Sequence, residues 1–223
     1  MISGAAHPTT KSRPPACWTP AGMLDEHCQL MLRRLGWPGP EGRHAIRTLG
    51  LTSCRDGEGV STVAAHLATA AAARQEGRVV LVDANLGRPA VTQIFGVPNS
   101  PGLVECVIKD ESVVDALHPT TMENLYVLPS GKLHGSPARV YDAEKLLDVV
   151  ADLIGYSVLT IFDLPPVRRV SCANRLSAAL DGVVLVVEAQ SVSWEMALCV
   201  KETLNRAGAR IVGAVLNRRC EPA

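Results

Sequence analysis

Aromatic side chains are scarce in this chain of 223 residues: three Trp, three Tyr and two Phe make up only 4% of it. A core built on large rings is excluded, so the 47% hydrophobic fraction rests on Ala, Val and Leu. Small aliphatic residues suit a parallel sheet buried on both faces by helices. Net charge is also lacking, since 22 Lys and Arg balance 22 Asp and Glu. That balance argues against a general nucleic-acid binder, which carries a basic excess. The seven cysteines (Cys17, Cys28, Cys54, Cys106, Cys172, Cys199 and Cys220) are odd in number, scattered, and contain no CxxC pair. A disulfide framework or a zinc site is therefore not expected, and a reduced, cytosolic compartment is. The opening MISGAAHPTTKSRPP lacks the apolar run of a signal peptide. No stretch reaches the ~18 apolar residues of a membrane span. Any membrane role is expected to be peripheral and to run through a partner.

What the chain does have is alternation. Residues 1–44 read as a mobile N-terminal tail, rich in Pro, Thr, Ser and Gly, with one short helix over 23–35 and a WPGPEG linker. Residues 45–223 read as one domain. AIRTLGLTS is expected as a strand, CRDGEG as a turn and VSTVAAHLATAAAARQE as an Ala-rich helix. RVVLVDA, LYVLPS, SVLTIFDLPP, VVLVVEA and RIVGAVLN follow as strands, with helices at AEKLLDVVADLI and SWEMALCVKETLNRAG. This order predicts an α/β fold with a doubly wound, mostly parallel sheet. Ligands in such sheets bind beyond the carboxyl ends of the strands.

Three places carry chemistry. The loop Cys54-Arg55-Asp56-Gly57-Glu58-Gly59-Val60-Ser61-Thr62 follows a strand and opens a helix. A phosphate needs inward-pointing N–H groups and the positive end of a helix, and glycines let the chain approach it closely. Against the P-loop pattern GxxxxGK[ST], Cys54 replaces the first glycine and Val60 the lysine, while Ser61 keeps the hydroxyl that holds magnesium. Alone, the loop fits equally a glycine turn with Ser61 and Thr62 capping the helix. Asp83 and Asp163 each close an apolar strand. Alone each is an ordinary turn residue, but in this order they place two carboxylates near one sheet edge, as magnesium prefers.

LTSCRDGEGVSTVAAHLA resembles the Walker A region of the bacterial tyrosine kinases, the CpsD/CapB family of the MinD/ParA-like P-loop NTPase branch. VVLVDANLGRP resembles their second motif, LLIDADLRRP, and IFDLPPV their Walker B motif, IIDTPPV. The resemblance covers about residues 45 to 219. It implies that Asp83 and Asp163 are the catalytic carboxylates, and that they hold Mg2+ with Ser61. It implies further that residues Arg55 to Thr62 bind ATP. Asn217 resembles the position that contacts the base, with a plain strand-end turn as the alternative. Arg55, five positions before Val60, matches a second lysine that in MinD/ParA relatives reaches a nucleotide across a dimer. The other arginines, Arg168-Arg169 and Arg218-Arg219 among them, read as surface charge.

The departures from the family point the other way. Val60 removes a charge-assisted bond worth about 1.5–3 kcal/mol, or about tenfold to a hundredfold in nucleotide affinity. Its cost in phosphoryl transfer is expected to be larger. Asn85 replaces a second Asp, His66 an Asn, and Cys172 stands where an acid is frequent. The ExxRxxR oligomerisation motif has its nearest counterpart at Glu26-His27-Cys28-Gln29-Leu30-Met31-Leu32, without its arginines. The C-terminal tyrosine cluster is missing, and Tyr126, Tyr141 and Tyr156 are the chain's tyrosines. The resemblance implies a cytosolic, kinase-like regulator of exopolysaccharide or capsule synthesis or export, with ATP binding weak or lost. It would work through a membrane-bound chain-length partner, with homo-oligomer formation left open. The alternatives are a non-catalytic interaction module and a MinD/ParA-type ATPase switch.

Overall fold

The computed structural model describes residues 22–37, 46–74, 77–168 and 173–218. The tail reading of residues 1–21, most of the linker, Arg169, Cys172 and Arg219 lie outside them. The elements in chain order are α1 (Gly22–Arg34), β1 (Thr48–Ser53), α2 (Val60–Ala72), β2 (Val79–Asp83), α3 (Val91–Phe95), α4 (Leu103–Ile108), α5 (Val113–Ala116) and β3 (His118–Pro119). They continue with β4 (Leu125–Leu128), α6 (Ala138–Tyr141), α7 (Lys145–Tyr156), β5 (Leu159–Asp163), α8 (Ala173–Ala179), β6 (Gly182–Glu188), α9 (Trp194–Arg206) and β7 (Ile211–Asn217). The strands form one sheet in the order β3-β4-β2-β5-β1-β6-β7. Every pairing is parallel except that of β3 with β4.

Period-two alternation sends successive side chains of each strand to opposite faces. Leu49, Leu51, Val79, Leu81, Leu159, Ile161, Val184 and Val186 join a core with α1 and α2. Val80, Val82 and Phe162 face a second core with α4, α6, α7 and α8, and Val183 and Leu185 face α9. Both sides of each central strand are thus buried, which is why these strands read as unbroken apolar runs.

The Ala-rich helix α2 lies between α1 and the sheet. Ala64, Ala65, Ala68 and Ala71 are fully buried, so small side chains let the layers approach closely. Cys28 and Leu32 of α1, with Trp37 after it, belong to that same core. The helix foreseen in the N-terminal segment therefore packs as part of the domain. Among the described residues, no helix is long and apolar enough to cross a membrane.

Candidate nucleotide site

Parallel pairing fixes the site. The register of β2 against β5 sets Asp83 directly beside Asp163. β1 lies next to β5, so the loop leaving β1 enters α2 over the same strand ends. The loop's shape depends on Gly57 and Gly59, both at φ 88°, a left-handed conformation that side-chain-bearing residues adopt at a cost. A Cβ on Gly59 would also collide with the Asn217 amide.

Gly59 is the N-cap of α2, and no side chain caps the helix. Ser61 instead sends its hydroxyl to Asp163, donating to Oδ2 at 2.6 Å. The alternative of a capped structural turn therefore does not describe this loop. An uncapped first turn leaves backbone N–H groups for an anion.

Glu58 is turned inward. Its Oε2 accepts from the N–H groups of Cys54 at 2.7 Å and Arg55 at 3.0 Å, pinning the start of the loop. Asn217 Nδ2 donates to the Glu58 carbonyl at 2.9 Å, tying the loop to the end of β7. Cys54, in the first glycine's place, is buried, and burial together with Glu58 pushes its thiol up to about 11. Val60 opens α2 with its side chain in the apolar core, 8% exposed.

The two aspartates are fully buried. Burial raises Asp83 to about 6, against the pull of N–H donors from Val91, Ala90 and Asn85. Those N–H groups reach it at 3.0, 2.9 and 3.3 Å. Asp163 is held well above the usual carboxylate range by burial and then by the Asp83 charge, with the Ser61 hydroxyl opposing. Its Oδ1 is buried without a hydrogen-bond partner. Two desolvated carboxylates, one with an unsatisfied oxygen, beside a hydroxyl are a hard-oxygen donor set that fits Mg2+. Among the described residues there is no cluster of three or more His, Cys, Asp or Glu to cage a metal alone.

Above this pair lies a cleft of about 520 Å³. Of the residues foreseen for nucleotide binding, Arg55, Asp56, Gly57, Gly59, Val60, Ser61 and Thr62 line it. Glu58 and Asn217 instead hold the loop; neither Asp83 nor Asp163 lines the cleft, and Asp163 is joined to it by the Ser61 hydroxyl. Arg55 Nη1 reaches the Ser191 carbonyl at 3.2 Å.

Arg218, read from the sequence as surface charge, is exposed, with 56% of its side chain open to solvent, and its position adds a role. It lines the cleft and pairs with Glu188 at 2.8 Å, because β7 runs beside β6 to the same sheet edge. Arg88 and Gln93 also line the cleft, and neither was singled out from the sequence. Arg88 lies within VVLVDANLGRP, three residues past Asn85, and that is the signal the sequence offers.

The ParA family, described as an NUBPL iron-transfer P-loop NTPase, matches residues 45–221. The tyrosine-protein kinase YwqD of Bacillus subtilis (strain 168) is 32% identical over 172 residues, spanning 77% of this chain and 72% of that protein. The putative tyrosine-protein kinase CapB of Staphylococcus aureus is 28% identical, spanning 78% of this chain and 75% of its own. Among solved structures, the chimerical protein CapA2B2 superposes with a TM-score of 0.79 at 28% identity, covering 88% of this chain and 85% of that one. The septum site-determining protein MinD of Pyrococcus horikoshii OT3, complexed with Mg-ADP, gives 0.62 at 27% identity, covering 77% and 70%.

Proposed function

This chain belongs to the bacterial tyrosine-protein kinases, within the ParA-like branch of P-loop NTPases, and we propose that it is a kinase-like regulator whose ATP-dependent phosphoryl transfer is strongly attenuated. In this reading it acts in the cytosol on capsule or exopolysaccharide synthesis or export, through a membrane-bound chain-length partner. The observation that carries the reading is a split in the site. The Ser61-Asp163-Asp83 set is intact, while the lysine's place holds a valine packed in the apolar core.

The chemistry follows from the residues present. The backbone N–H groups at the start of α2 cradle the phosphates of a bound nucleotide. Ser61, Asp83 and Asp163 would hold Mg2+, which when bound supplies neutralising charge for phosphoryl transfer. Val60 contributes none. The chain's tyrosines belong to the folded domain. Tyr141 is buried, with its hydroxyl donating to the Ala84 carbonyl. Tyr126 and Tyr156 pack edge to face, with Arg78 over the Tyr156 ring.

A second reading, a domain that binds partners without catalysis, is favoured by the apolar burial of Val60. One experiment separates attenuated from active enzyme: incubation with ATP and Mg2+, then detection of phosphotyrosine. Little or no labelling is expected. Strong labelling that disappears in Asp163→Asn would overturn the attenuated reading.

A further inference from the structure

Three arginines line the cleft: Arg55, Arg88 and Arg218. Two are committed elsewhere. Arg218 Nη1 lies 2.8 Å from Glu188 Oε1, a bond that holds the Glu188 carboxyl below its usual range. Arg55 donates to the Ser191 carbonyl, fastening the loop to the turn before α9. Arg88 is different. Its ion pair is with Asp56, at 3.8 Å, and 64% and 34% of the two side chains are exposed. An exposed pair at that distance contributes little stability. The partners come from two different loops that line the cleft, Asp56 from the one between β1 and α2 and Arg88 from the turn between β2 and α3. That turn is fixed. Arg88 N–H donates to the Asn85 carbonyl at 2.9 Å, and the N–H groups of Ala90 and Val91 are bound to Asp83.

We propose that Arg88 supplies the phosphate-binding cation that position 60 lacks, with Asp56 as its resting counter-ion, exchanged for a polyphosphate when one binds. The proposal rests on the nucleotide reading of this cleft and names the residue that makes it workable. A guanidinium on an anchored turn can pair with two phosphate oxygens at once, which a weak contact to an exposed carboxylate does not satisfy. Asp56 then stands on the loop beside an incoming anion, where its charge opposes binding. The two residues of one ion pair are therefore expected to act with opposite signs, whereas a merely structural pair would give the same sign for both.

The test is calorimetric titration of the full chain with Mg-ATP and, separately, with tripolyphosphate. Arg88→Ala should weaken both by about tenfold, and Arg88→Gln should do the same, which guards against a folding defect peculiar to one variant. Asp56→Asn should tighten both several-fold. Equal binding by wild type and both Arg88 variants overturns the proposal and leaves the nucleotide reading standing. So does weakening in Asp56→Asn, or a loss confined to Arg55→Ala. No binding of either probe by wild type and Asp56→Asn overturns both the proposal and the reading of the cleft.

Discussion

Gly59 is where backbone geometry and side-chain packing constrain the site together. Its φ of 88° disfavours any other residue, and the space a Cβ would fill belongs to the Asn217 amide. Gly59→Ala is expected to cost about 1–3 kcal/mol in urea unfolding, from strain at this one residue. It should also displace the Asn217-to-Glu58 bond, visible as a shifted Asn217 side-chain amide in NMR spectra. Asp83 gives a pH prediction. Its folded value, about 6, lies above its ordinary 3.8 because burial disfavours the charge. The folded state therefore holds its proton more tightly than the unfolded chain does. The stability this group carries is full below about pH 4 and is lost as pH rises through about 6. In metal-free protein, Asp83→Asn should be more stable than wild type at pH 7.5, and that advantage should shrink at pH 5. An advantage independent of pH would contradict the assignment.

At the scale of elements, the contact of α1 with α2 decides whether the N-terminal helix is an appendage or part of the core. Leu32 is 1% exposed and shares a cluster with the alanines of α2. Leu32→Ala is expected to destabilise the domain by about 2–5 kcal/mol, in one cooperative transition. A loss of helix signal without a shift of the main transition would mean that α1 folds separately. Legibility also divides at this scale. β1, β2, β5 and β6 were readable because burial on both faces makes each an apolar run, and β7, half-exposed at the sheet edge, from its aliphatic composition. The long helices α2, α7 and α9 were readable from their composition and spacing. The short helices α3, α4, α5, α6 and α8, of four to seven residues, were not, since so few residues hold no period. β3 is two residues defined by pairing with β4 and not by their own type. The site divides the same way. Asp83 and Asp163 were legible as strand ends, and the register does the rest. Arg88 and Arg218 were not, because where a long side chain reaches depends on the paths of loops that only the fold sets.

For the whole molecule, the sheet order puts β1 between β5 and β6, and so gathers the loop, both aspartates and the arginines at one edge. Under the proposed function, that arrangement serves nucleotide binding, and the packing of Val60 into the apolar core weakens it. Val60→Lys decides how these fit together. Lysine is at least as good a helix former as valine, so α2 should persist. Calorimetric titration of wild type and Val60→Lys with Mg-ATP is the most direct measurement. Measurable but weak binding by wild type, tightened about tenfold or more by the lysine, is expected from the charge-assisted bond regained. No binding by either protein would mean that the cleft has closed around the valine, and would contradict the nucleotide site itself.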